Sequence, residues 1–66
     1  MSPNPQNITF LKGLSHDAGK RARKTREYGS NMDIAAANWL AKNGLNPWTK
    51  EGNVAQVAFI LGWRNR

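Results

Sequence analysis

Val54-Ala55-Gln56-Val57-Ala58-Phe59-Ile60-Leu61-Gly62-Trp63-Arg64 decides the fold. Its apolar residues Val54, Val57, Ala58 and Leu61 recur at i, i+3, i+4 and i+7, which lines one face of a helix. Phe59 and Ile60 widen that face, so this helix, starting between Thr49 and Asn53 and ending near Arg64, is expected to be the most buried. By composition Val57 to Leu61 could form a short strand, but length and period favour helix.

Working outward, Leu45-Asn46-Pro47-Trp48-Thr49-Lys50 reads as a connector, because Pro47 biases Asn46 away from helix. Before it, about Asn31 to Asn43, a helix is expected with Ile34, Ala37, Leu40 and Ala41 as its apolar stripe. Gly44 stands where a left-handed C-terminal residue belongs. Ser30 followed by Asp33 has capping-box spacing at its start. Further back, Ile8 to Tyr28 reads as a third helix, with Phe10, Leu14, Ala18 and Ala22 on one face and Leu11 beside it. Gly13 and Gly19 weaken that helix, each by about 1 kcal/mol relative to alanine. The expectation is an all-α, three-helix domain over residues 8–66, with a helical hairpin (residues 31–64), a basic N-terminal helix, and residues 1–7 as a flexible tail.

The chain has 66 residues and no cysteine, so neither disulfides nor thiolate metal sites support it. A lone His16 builds no zinc site. Small domains gain stability from such devices or from partners, so partner binding or a homodimer is expected instead. No cofactor is expected. No apolar run approaches the roughly 20 residues that span a bilayer, and Met1-Ser2-Pro3-Asn4-Pro5 does not read as a secretory signal. A cytoplasmic location is the expectation.

Ten Lys and Arg against four Asp and Glu leave a formal charge of +6, a surplus that draws polyanions. The surplus is concentrated in Lys20-Arg21-Ala22-Arg23-Lys24-Thr25-Arg26. A face that serves only solubility mixes signs, whereas here Glu27 alone follows five cations. These residues are the expected phosphate contacts. Trp39, Trp48 and Trp63 are many tryptophans for the length. Trp48 beside Lys50, and Trp63 beside Arg64 with Arg66 following, suit base stacking flanked by cations; for Trp39 and Trp63 core packing is the competing reading. No nucleophile–base–orienter set can be assembled from one histidine and scattered hydroxyls, and there is no phosphate-binding glycine loop. An enzyme is not expected.

Residues 31–66 resemble the ribosome modulation factor family, with its CrpP-like and phage-encoded relatives. The resemblance rests on the small residues Ala35, Ala36, Ala41 and Gly44, on Asn46-Pro47-Trp48 in place of the family's Asn-Pro-Tyr loop, and on Phe59-Ile60-Leu61-Gly62-Trp63-Arg64 in place of its closing Trp-x-x-Gly-Trp-Arg. Trp48 stands for the tyrosine and Phe59 for the first tryptophan. The resemblance implies a ribosome-associated protein that contacts small-subunit rRNA and damps translation, through Asn46, Pro47, Trp48, Gly62, Trp63 and Arg64. The expected partner is therefore nucleic acid, RNA ahead of DNA. Two other readings stay open: a helix-turn-helix DNA-binding regulator of phage or plasmid origin, and a phage-type module that inhibits a host protein.

Overall fold

The computed structural model describes the backbone of residues 5–65 and the side chains of residues 8–65. It is all-α: α1 spans Pro5–Thr25, α2 Met32–Lys42 and α3 Lys50–Arg64. The helical hairpin of α2 and α3 is present, but the larger interface is α1 on α3. These two run in the same direction. Ile8 and Lys12 lie by Asn53 and Val54, His16 meets Gly62, and Arg23 reaches Trp63. The intervening α2 returns alongside them.

Local chemistry sets the helix ends. Asn31, not Ser30, caps α2; its side chain accepts from the Asp33 amide at 2.8 Å. Thr49 caps α3, accepting from the Gly52 amide at 3.1 Å. Each side-chain oxygen satisfies an amide that has no partner within its helix. Gly44 takes the left-handed conformation (φ 67°) just past α2. The first helix starts at Pro5 rather than about Ile8, in keeping with proline's fitness for a first turn. It stops at Thr25 rather than Tyr28, because Arg26 adopts a left-handed φ of 56° while its amide still bonds to the Ala22 carbonyl at 2.7 Å. The remainder of the expected tail, residues 1–4, lies outside the described residues.

The core differs from the expected stripes in a consistent way. On α1 the inward face is Leu11, Ser15, Ala18, Gly19 and Ala22, while Phe10 is 72% exposed and Leu14 about half exposed. On α2 it is Ala35, Ala36, Trp39 and Leu40, leaving Ile34, Ala37 and Ala41 outside. On α3 it is Gly52, Ala55, Ala58, Phe59 and Gly62, leaving Val57 and Leu61 half exposed. Each helix is turned from the face its large aliphatics define toward the face its small residues define.

The reason lies at the crossing of α1 and α3. A Cβ placed on Gly19 would overlap the Phe59 carbonyl, and one on Gly62 would overlap the His16 carbonyl. The two backbones therefore touch, and only glycine fits at these points. Ser15 is fully buried near this crossing, and its hydroxyl donates to the Leu11 carbonyl at 2.6 Å, so it carries no unmet polar cost. Around the contact Trp39, Phe59 and Trp63 form a ladder of rings, with centroids 5.3 Å and 6.5 Å apart. Such pairs contribute about 0.5–1.5 kcal/mol beyond the area they bury.

Three substitutions separate these effects in urea or thermal unfolding. Gly13 has open space around it, so Gly13→Ala should stabilise by up to about 1 kcal/mol through helix propensity. Gly19→Ala carries the same propensity gain but forces two backbones apart, and should destabilise by about 1–3 kcal/mol. Arg26→Gly relieves the left-handed strain and should stabilise by about 0.5–1 kcal/mol, even though it removes a cation from a helix C-terminus.

Candidate nucleic-acid interface

The parallel course of α1 and α3 brings both C-terminal ends to one pole of the molecule. The five cations of residues 20–26 and Arg64 collect there. Lys20, Arg23 and Lys24 line one concavity with Asn65, and Lys20, Arg21 and Lys24 line an adjoining one with Asp17. Helix C-termini carry partial negative charge, which favours cations nearby.

One of these cations has an internal task. The Arg23 guanidinium donates to the Trp63 carbonyl at 3.0 Å and so ties the end of α1 to the last turn of α3. By contrast, the side chains of Lys20, Arg21, Lys24 and Arg26 make no ion pair or hydrogen bond with another described residue. Neighbouring Glu27 turns back to Thr25, whose hydroxyl lies 3.5 Å from its carboxylate. The positive charge of the pole is thus left open to solvent.

The tryptophans divide. Trp39 is in the core. Trp63 is half-buried, with one ring face against Phe59, so at most its outer side faces solvent. Trp48 is 92% exposed. Its loop is held by its own backbone: the Asn46 side chain accepts from the Trp48 amide at 2.9 Å, and the Asn46 carbonyl accepts from the Thr49 amide and hydroxyl at 3.0 and 2.7 Å. Gly52 packs so closely on that carbonyl that a Cβ there would overlap it. The loop is closed by these bonds and this contact, yet its largest side chain stands in solvent.

The expected contacts therefore form two groups rather than one. Lys20, Arg21, Arg23, Lys24, Arg26, Trp63 and Arg64 share the basic pole, while Trp48 and Lys50 lie at the start of α3. The 15 residues of α3 separate them, roughly 22 Å at 1.5 Å per residue. Arg66 lies outside the described residues. Asn65, which lines the cationic concavity, stands outside the expected contact set; a lone Asn carries no pattern that marks it as a phosphate contact.

Among the described residues no group of His, Asp or Glu is arranged to hold a metal ion, and no described helix is long and apolar enough to cross a membrane. Comparison with family models, with curated proteins and with solved structures gives no match to this chain.

Proposed function

We propose that the protein binds RNA through its basic pole, without catalysis, and that its target is rRNA on the small ribosomal subunit, where binding damps translation. The observation that carries this reading is the set of four cations, Lys20, Arg21, Lys24 and Arg26, with no hydrogen-bond or ion-pair partner among the described residues, at one end of a small helical body. Ion pairs within the chain would have neutralised them; instead they remain available to phosphates. Phosphate contacts of this kind give affinity through counterion release. Trp48 supplies a second anchor, an exposed ring on a hydrogen-bonded loop, suited to stack on an unpaired base. The resemblance of residues 31–66 to the ribosome modulation factor family supports the ribosome as the place where such RNA is met.

RNA is favoured over duplex DNA by the character of α3. A recognition helix reads base edges with polar side chains. The solvent-facing side of α3 carries Val57 and Leu61 at its middle, with Asn53 and the partly buried Gln56 as neutral polar groups beside them and Lys50 and Arg64 at its ends. That surface is poorly suited to a major groove.

Binding of a single-stranded RNA oligonucleotide, titrated against salt, tests the reading. The triple variant Lys20→Gln, Arg21→Gln, Lys24→Gln should weaken binding and flatten the plot of log affinity against log salt by about 2 units, from the loss of three phosphate contacts. These side chains have no hydrogen-bond or ion-pair partner among the described residues, so stability should change by no more than about 1 kcal/mol, from charge lost near the helix C-terminus. Trp48→Ala should cost about 1–3 kcal/mol of RNA affinity while leaving the unfolding midpoint unchanged. A wild-type chain that does not bind RNA at low salt, or that prefers duplex DNA in competition, overturns the proposal.

A further inference from the structure

Asp17, Lys20, Arg21 and Lys24 follow one another along α1 at helical spacing and so share one face. They line one concavity of the basic pole. Lys20 and Lys24 also line its neighbour, together with Arg23 and Asn65. The two concavities share two lysines and differ in one respect. The neighbour sets an amide beside its cations; this one sets a carboxylate there. Asp17 is exposed, and no ion pair or hydrogen bond joins it to Lys20, Arg21 or any other described residue. Its spacing to Arg21 would suit a helix ion pair, yet such pairs are weak in water, and here none is formed. A pole that met phosphates alone would gain nothing from an anion in their midst, because the carboxylate repels them.

We propose that Asp17 is a specificity-determining residue: its carboxylate accepts a hydrogen bond from a ribose 2′-hydroxyl while Lys20, Arg21 and Lys24 hold the adjoining phosphates. This role rests on RNA binding at the basic pole, and it names the group that is read there. An ionised carboxylate only accepts hydrogen bonds, so whatever faces it in a complex must donate. A phosphate diester has no donor. Bases have donors, but they project away from the backbone that the lysines grip. The 2′-hydroxyl is the donor nearest a phosphate, since its carbon adjoins the one whose oxygen carries the 3′-phosphate. It is also the group by which a protein tells RNA from DNA. The placement of Asp17 fits this order. It lies about one helical turn, roughly 5.4 Å, before Lys20 and Arg21, which is within the span of one nucleotide. Charge on the acceptor makes such a bond stronger than one between neutral groups.

The test compares an oligouridylate with the oligodeoxyuridylate of equal length, which differ only in the 2′-hydroxyl, in equilibrium binding to the full chain at low salt. The wild type should bind the RNA about 5–10-fold more tightly. Asp17→Ala removes a like charge facing the phosphates, so it should bind the DNA oligonucleotide more tightly than the wild type does. Its preference for RNA should fall below about 2-fold. Asp17→Asn keeps an acceptor oxygen and should retain part of the preference. Glu27→Gln removes a carboxylate that lies outside the concavity; it should strengthen both oligonucleotides alike and keep the wild-type ratio. Asp17→Ala should fold normally, because Asp17 is exposed within α1 and alanine favours helix. Charge alone would make Asp17→Ala strengthen both oligonucleotides equally. An unchanged ratio in that variant therefore overturns the proposal, and so does a wild-type chain that binds the two alike; both results leave RNA binding at the pole standing. Failure to bind either oligonucleotide overturns RNA binding itself, and the role of Asp17 with it.

Discussion

Backbone contact between α1 and α3 at Gly19 and Gly62 is the constraint from which the other features follow. Because two helices meet there without side chains between them, they must approach closely, and the residues flanking the contact must be small. Ser15, Ala22, Ala55 and Ala58 meet that requirement. Close approach turns each helix so that its small-residue face points inward, and this displaces Val57, Leu61 and Leu14 toward solvent. It also holds α1 and α3 parallel, with α2 as the returning element. Closely approached backbones gain dispersion contacts that bulkier side chains would prevent.

Much of the architecture was legible in the residues. Three helices, the break at residues 28–31, Gly44 beyond α2 and Thr49 at the start of α3 all follow from local signals that act within a few residues. Which face of each helix points inward was legible only in part: Leu11, Ala18, Ala22, Leu40, Ala58 and Phe59 lie inward as their spacing implied, but the large apolar residues beside them do not. Periodicity weighs large aliphatic side chains, so it selected Phe10 and Leu14 on α1, Ile34 on α2, and Val57 and Leu61 on α3. A seam of Gly, Ala and Ser has little apolar signal of its own, and its advantage appears only when a second helix with a matching seam lies against it. The Arg26 conformation was hidden for a related reason. A left-handed residue is normally announced by Gly or Asn, and here an arginine occupies the position.

The candidate interface was legible in composition but not in arrangement. The five cations of residues 20–26 stand out in any reading of the chain, and the absence of ion pairs to them among the described residues agrees with their crowding, although Asp17 lies beside three of them. Their separation from Trp48 by the length of α3 depends on the parallel packing, which no local pattern encodes. Likewise, assigning Arg23 to the Trp63 carbonyl required knowing that residue 63 lies beside residue 23. The division of the tryptophans, Trp39 inside, Trp63 half covered by Phe59 and Trp48 bare, follows from the same tertiary placement.

Gathering most of the cations at one extremity makes the molecule an electrical lever. In the field of a distant polyanion it experiences a torque as well as an attraction, and turns before it arrives. Collisions are therefore biased toward one orientation, with the ends of α1 and α3 leading and the Trp48 loop trailing. Under the proposed RNA-binding reading, capture would begin with a loosely held, rotationally sorted encounter, and the bare indole of Trp48 would come into play only as the molecule settles lengthwise.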